Sequence, residues 1–395
     1  FYMKKTFWSF LVLSLFALSH ISAQTTSSGE IYHKVQKLNV LANVLYLAAH
    51  PDDENTRLIS YFSNEVHADT YYLSLTRGDG GQNLIGTESG PLLGALRTQE
   101  LLAARNIDGG NQCFTRANDF GFSKTADETI NIWDEDVVKQ DIVSAVRKIK
   151  PDIIINRFDH DSNGKTHGHH TASALLSYEL FDKYDDPNYF PDSAEKYGIW
   201  QPRSLFFNTS WWFYGGKDKF DAADKSDLYA LDIGVYYPIL GISNNEISAL
   251  SRSQHKCQGF GSTGTRGTEL EYLKFLKGQK PSDKEDILGD LDFSWKRVEG
   301  GGPIGEKINA LLEEFDFVNP QNNVNSLIEI AKSIDGLKDD FWKKKKLNEV
   351  NEIILDCFGM YINAYTDVEF CSPGDSISFT SELIQRMGSG VNLKS

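Results

Sequence analysis

Residues Val44-Leu-Tyr-Leu-Ala-Ala49 form an apolar run that stops at His50-Pro51-Asp52-Asp53-Glu54. A short continuous apolar run is the pattern of a strand buried on both faces. Pro51 and the acids end that strand and prepare the start of a helix. In an open α/β sheet, ligands bind outside the carboxyl ends of the strands. A histidine and an aspartate delivered there by one turn are poor core residues and good metal ligands.

The chain then alternates. Val44–Ala49, Asp69–Thr76, Asp152–Asn156, Ser204–Asn208 and Leu228–Val235 carry strand patterns. Asn55–Asn64, Leu92–Asn106, Glu135–Ile149 and Thr171–Phe181 carry helical ones. In 135–149 the spacing of Val138, Ile142, Val146 and Ile149 predicts one apolar helix face. Strands alternating with helices predict an α/β fold with a mostly parallel, helix-covered sheet over residues 24–290. Residues 291–365 are expected to be mainly helical, with Lys343–Lys346 on a solvated face. Residues 366–395 change character. Asp367–Phe370 and Ser376–Thr380 alternate as strands around the turn Ser372-Pro-Gly374, the expected opening of a truncated β-domain.

Composition narrows the function classes. With 40 Lys+Arg against 55 Asp+Glu the net charge is −15. No basic cluster rises above that background, so nucleic acid and anionic membrane surfaces are poor partners. Cys113, Cys257, Cys357 and Cys371 form no C-x-x-C pair and are too few for a disulfide scaffold. Met3-Lys4-Lys5, the apolar stretch Phe7–Leu18 and Ile21-Ser-Ala23 before Gln24 supply the three parts of a secretory signal peptide. Residues 1–23 are therefore expected to be removed, with Phe1 and Tyr2 lying ahead of the natural start. The mature protein is expected to be secreted or periplasmic, without an integral membrane span. No cysteine follows the apolar stretch to take a lipid, and a disulfide is permitted outside the cytoplasm.

A second polar cluster follows the strand at 152–156. It runs Asn156-Arg-Phe-Asp159-His160-Asp161-Ser-Asn-Gly-Lys-Thr-His167-Gly-His169-His170. Four of the nine histidines of the chain fall within it. Following a strand, it belongs at the same sheet edge as His50. A single histidine on a loop is ordinary surface polarity. His-Pro-Asp-Asp after one strand and His-Gly-His-His after another is a ligand set. Catalytic Zn²⁺ needs three protein ligands and an open position. His50, Asp53 and one of the histidines at 167–170 would supply two imidazoles and a carboxylate. H-E-x-x-H is absent, which leaves a thermolysin-type protease without a motif.

Ala49-His50-Pro51-Asp52-Asp53-Glu54 resembles the signature of the PIG-L/LmbE-like deacetylases. The expected signal peptide and the expected opening of a C-terminal β-domain resemble the larger secreted bacterial members of that family. The resemblance covers roughly residues 40–280, with the motifs in the family's order. It implies a Rossmann-like α/β fold and zinc-dependent hydrolysis of N-acetylglucosamine-type amides. It also implies His50 and Asp53 as metal ligands, Asp52 as general base and His170 as third ligand. His167 would assist as acid or oxyanion stabiliser. His169 stands where the family often has Asp, so His169 and His170 both compete for the metal at this stage. Arg97-Thr-Gln-Glu100, Arg116-Ala-Asn-Asp119 and Ser253-Gln-His255 resemble substrate-side segments, implying Arg97, Asp119 and His255 in substrate binding.

Other strings carry less. Arg77-Gly78-Asp79 is turn chemistry after a strand. Gly78-Asp-Gly80-Gly81 lacks the third glycine of a dinucleotide loop, which leaves it as a rim of the metal site. Trp211-Trp212-Phe213-Tyr214 before two glycines is either packing or a stacking wall for a sugar. Two other classes compete with the sugar deacetylase. One is a zinc amidase acting on a thiol-conjugate or peptidoglycan amide, which would share every motif. The other is a non-catalytic glycan-binding module, which would have no need of Asp52 beside a metal ligand.

Overall fold

Strand β1, Asn43–Ala48, is buried along its whole length. Such a strand needs apolar cover on both faces, which parallel sheets obtain from their crossover helices. The computed structural model, which describes residues 26–162 and 165–388, has that arrangement. The leader expected at residues 1–23 lies outside the described residues. Two compact units are present. One spans Asn39–Gly305, and the other joins the described residues up to Leu38 with those from Glu306 onward.

The larger unit is built on one seven-stranded sheet. Its further strands are β2 (Asp69–Ser74), β3 (Asn111–Phe114), β4 (Ile153–Asn156), β5 (Ser204–Thr209), β6 (Leu228–Asp232) and β7 (Leu270–Gly278). The spatial order is β3-β2-β1-β4-β5-β7-β6. The first five pair in parallel, with Ala48 opposite Ser74 and Leu47 opposite Asn156. Strand β7 runs antiparallel to both of its neighbours. After β1 the chain winds outward through β2 and β3, then returns to the other side of β1 as β4. The order therefore reverses between β1 and β4, which creates a crevice at their carboxyl ends.

The helices that matter for the site are α1 (Thr56–Asn64), α2 (Pro91–Asp108), α3 (Ala126–Ile132), α4 (Glu135–Ile149), α5 (Gly168–Leu180) and α6 (Asn244–Arg252). Side chains of β1 alternate between two cores. Val44, Tyr46 and Ala48 pack with Leu58, Ile59, Phe62 and Phe206. Leu45 and Leu47 pack with Val138, Ile142, Val146 and Leu176. Each such aliphatic side chain stabilises the sheet by about 1.5–3 kcal/mol relative to exposure.

Three elements lie outside the expected pattern. Strand β3 is short, polar and only half-buried. Helix α3 is one of the shortest in the unit, and Thr125 caps it by accepting from the Glu128 N–H at 3.2 Å. Strand β7 carries Glu271, Lys274 and Lys277, so it lacks the apolar run of a parallel strand.

The second unit contains helices Ser28–Leu38, Val324–Asp335 and Asp340–Cys357. The basic run corrects the expectation at one position. Lys346 is fully buried and donates to Lys37 O at 3.1 Å and to Glu349 at 2.8 Å. A cation that meets a carbonyl near a helix C-terminus is satisfied there without water. The tail also differs. Strands form at Met360–Tyr365 and Thr380–Gln385 and pair antiparallel. Residues 366–379, where two strands were expected, are irregular. The turn is where it was expected, with the Asp375 N–H on Ser372 O at 3.0 Å. Ser372 donates its backbone N–H to the Asp375 carboxylate, and Val368 donates to Thr366 Oγ1. Local side chains thus take the bonds a ladder would need. No helix among the described residues is long and apolar enough to cross a membrane.

Candidate metal and catalytic site

The acidic turn after β1 is bent by a single residue. Asp52 has φ 86, in the left-handed region that costs a non-glycine residue energy. Several contacts hold it there. Its N–H donates to Glu54 Oε2 at 2.8 Å. Arg252 reaches its carbonyl at 3.3 Å. Arg97 donates to the Pro51 carbonyl at 2.5 Å and pairs with the Asp52 carboxylate at 3.3 Å. Behind the turn, Glu54 is buried against Arg105 at 3.3 Å and His255 at 2.6 Å. Arg105 in turn holds Asp108 at 2.6 Å, and Ser251 donates to that carboxylate at 2.6 Å. Asn55 then caps α1, accepting from the Arg57 N–H at 3.1 Å. Three consecutive acids therefore face three different environments.

Asp53 points into the crevice. Its carboxylate lies 3.1 Å from His50 Nδ1 and 3.4 Å from His170 Nε2. It also accepts the His50 backbone N–H at 2.8 Å. One reachable atom from each of His50, Asp53 and His170 lies within 4.8 Å of the others. This is a two-imidazole, one-carboxylate donor set, the chemistry that suits a divalent ion such as Zn²⁺. Among the described residues, His50, His167 and His169 form a second such group. It has no carboxylate, and its His169 is fully buried.

The histidines come from the start of α5. His167 is the N-cap residue, and its Nδ1 accepts the His169 backbone N–H at 3.2 Å. A neutral ring that accepts at Nδ1 carries its proton on Nε2. His170 is stacked on Phe158 with ring centroids 3.8 Å apart, and its Nδ1 meets Thr166 Oγ1 at 3.0 Å. His169 lies between Phe120 and Trp133. Its Nδ1 is 2.8 Å from His50 Nε2 and 3.8 Å from Asp119. Gly168 is required here, because a Cβ would collide with the Thr125 carbonyl and Ser123.

The charges follow the contacts. Burial pushes the Asp53 carboxyl up, but His170 and His50 outweigh it and hold the group well below the usual carboxylate range. Asp52 is pushed up to about 6, chiefly by burial and then by the Asp53 charge, against the pull of Arg97. Burial alone would lower His50, yet Asp53 and its hydrogen bond raise it overall. His167 falls to about 4 through burial and the neighbouring His50. His169 falls to about 2 for the same two reasons. Both rings are neutral at pH 7.

The substrate-side residues of the sequence reading divide. Asp119 is buried beside His169, with one oxygen accepting the Gly121 N–H at 2.9 Å. Arg97 is 3% exposed and committed to Pro51, Gly78 and Asp52. His255 has no exposed surface and its polar partner is Glu54. Arg97 and His255 thus sit behind the acidic turn. Glu54, Arg105, Asp108 and Phe158 were missed as site residues. Glu54 was visible as the third acid of the motif, whereas Arg105 and Asp108 are ordinary helix residues by sequence.

In front of the turn lies a cleft of about 740 Å³. Asp52, Asp53, His170, Arg57, Arg157 and Trp212 are among the residues lining it.

Residues 45–181 match the PIG-L family, described as GlcNAc-PI de-N-acetylase. That span runs from β1 to the end of α5. No curated protein matches the chain. Among solved structures, N,N'-diacetylchitobiose deacetylase from Pyrococcus horikoshii is 17% identical over 55% of this chain and 70% of its own, with TM-score 0.36. The 4-carboxy-2-hydroxymuconate hydratase from Pseudomonas putida is 14% identical over 61% and 99%, with TM-score 0.40. A deacetylase of teicoplanin biosynthesis is 11% identical over 60% and 100%, with TM-score 0.33.

Proposed function

We propose, from the match of residues 45–181 to the PIG-L family, that this chain hydrolyses the N-acetyl amide of an N-acetylglucosamine-type sugar and releases acetate. One observation carries the reading. Two imidazoles and a carboxylate converge at the β1/β4 crevice with a second carboxylate, Asp52, on the wall of the same cleft. A glycan-binding module needs no such second acid.

His50, Asp53 and His170 are the ligands in this reading, because this set has the carboxylate and opens on the cleft. A divalent ion held there, Zn²⁺ in our assignment, supplies Lewis acidity towards the amide carbonyl and acidifies water. Asp52 takes a proton from the attacking water at its carboxylate and delivers it to the leaving nitrogen. A C–O bond forms, the C–N bond breaks, and acetate and a free amine result. His167, neutral with its proton on Nε2, donates a hydrogen bond to the developing oxyanion. Arg97, fixed to the Pro51 carbonyl, orients Asp52. Asp119 sets the position of His169.

Two measurements test the metal assignment. Asp53→Asn is expected to weaken Zn²⁺ binding by more than about tenfold, since a neutral amide is the poorer ligand. Equilibrium dialysis with Zn²⁺ reads this directly, and unchanged affinity would remove Asp53 from the ligand set. His169→Ala is expected to cost about 10–100-fold in metal affinity, the usual scale for losing the partner of a ligating histidine. If His169 were itself the ligand in place of His170, then His170→Ala would leave zinc bound. Acetate release from a panel of N-acetylated sugars, compared with non-sugar acetamides, separates the deacetylase from a general amidase.

A further inference from the structure

Trp211-Trp212-Phe213-Tyr214 forms one tight 3-10 turn directly after β5. It is closed by Gly215 and Gly216, whose N–H groups return to the Trp212 and Trp211 carbonyls at 3.3 and 3.1 Å. Both glycines have positive φ, at 75 and 134, where side chains are disfavoured. Its two tryptophans are unusually open, Trp211 at 54% and Trp212 at 51% exposure. Indoles are mostly buried in folded proteins, and open aromatic surface beside a concave site marks a place for a ligand.

We propose that Trp211 and Trp212 form a second sugar subsite, so that the enzyme takes a glycan of at least two rings rather than a free N-acetylated hexosamine. This rests on the deacetylase reading above. Both indoles line the same cleft as Asp52, Asp53 and His170. At about 740 Å³ that cleft is in the upper part of the roughly 300–1,000 Å³ span of small-ligand pockets. One hexosamine at the metal leaves its far end open.

A continuous row of aromatic contacts links the two ends. His170 stacks on Phe158 at 3.8 Å with planes 3° apart. Phe158 meets Phe213 edge-on at 6.5 Å, and Phe213 meets Trp212 at 4.9 Å with planes 90° apart. Phe213 is also wedged against Phe207 of β5 at 4.8 Å. Trp212 is therefore packed in line with His170 before anything binds, which lowers the cost of binding. The chemistry suits a pyranose. One sugar face carries C–H groups that lie on an indole, while its hydroxyls need polar partners. Lys217 and Asp221, from the segment after the two glycines, line the cleft beside the indoles. A protein partner would instead want a flatter and larger apolar surface than a polar-lined cleft provides.

The test compares N-acetylglucosamine with its β-linked oligomers of two to four rings, for the full chain and for Trp211→Ala, Trp212→Ala and the double variant. Wild type is expected to show higher kcat/KM on the oligomers. In the double variant the oligomer-to-monomer ratio of kcat/KM is expected to fall about tenfold, the size of one or two lost aromatic contacts, with the loss in KM. An unchanged ratio, or a variant that alters only oligomeric state, overturns the proposal. A second readout does not depend on turnover. Binding of the three-ring oligomer, followed by tryptophan fluorescence and calorimetry in Asp52→Asn protein, is expected to weaken by a similar factor when both indoles are removed. If no acetate is released from any sugar but this binding difference appears, the subsite stands and the deacetylase reading fails. If acetate is released without it, the subsite fails alone.

Discussion

Replacing Asp52 with Asn is expected to leave zinc in place and to lower acetate release by at least about 10²-fold, the scale for a missing general base. The two neighbouring acids are suited to different tasks. Asp53 is held well below the usual carboxylate range by His170 and His50, which is the state of a ligand. Asp52 is raised to about 6 by burial and the Asp53 charge, which is the state of a group that can both accept and return a proton near neutral pH. Arg97 restrains that rise from 3.3 Å away. Position 52 is a demanding one for most side chains, because its φ is 86. Asn is nearly isosteric with Asp. It is also among the few non-glycine residues that tolerate a positive φ. The variant therefore keeps the turn while losing the proton acceptor. Metal content and acetate release, measured on the same preparation, decide the matter. Loss of zinc from Asp52→Asn would reverse the roles of the two acids. Full activity with full zinc would remove Asp52 from the mechanism.

The half of the site that the sequence made legible is the half written in one strand and its turn. From Val44 to Ala48 strand β1 is buried and free of charged side chains, so its exit into His50 and the acids was plain. The parallel order around it followed from the spacing of apolar runs. Strand β7 was not legible, because this antiparallel strand beside the parallel core carries Lys274 exposed and Glu271 buried against Arg57 at 2.8 Å, which breaks the apolar run. The choice among the four histidines was harder. Side chains at 169 and 170 leave the first turn of α5 in different directions, and only the packing of Phe158, Phe120 and Trp133 fixes which one opens on the cleft. Arg97 and His255 illustrate a further limit. The family resemblance of their segments pointed to the site, but whether a polar side chain stands before or behind a turn depends on contacts far apart in the chain. His255 reaches Glu54 across 201 positions.

The same buried contacts give the second large effect, on stability. Arg105→Met is expected to destabilise the protein by about 3–5 kcal/mol at pH 7, because it leaves the Glu54 and Asp108 carboxylates buried without their cation. Arg105 is 3% exposed by side chain, and its two partners are fully buried. Ser251 and His255 remain as hydrogen-bond partners of Asp108 and Glu54. Arg116 provides the comparison. Its pair with Asp141 is as short, at 2.8 Å, but the arginine is 60% exposed. Solvent screening limits such a pair to about 0–1 kcal/mol, so Arg116→Met should be nearly silent. The pH dependence has a definite sign. Burial would raise the Glu54 carboxyl, yet His255 and Arg105 outweigh it and bring it down to about 2. A depressed carboxyl stabilises the fold above its unfolded value of about 4.3, and this contribution is lost as pH falls towards about 2. Without Arg105 the Glu54 carboxyl keeps His255 but loses part of that depression. The gap between wild type and Arg105→Met should therefore narrow as pH drops below about 4.3. Urea unfolding of both variants at pH 7 and pH 4 measures it. An Arg105→Met cost no larger than that of Arg116→Met would show that the turn does not depend on this network. If the cost appears in full, folded Arg105→Met should also lose activity, because Glu54 holds the N–H of Asp52.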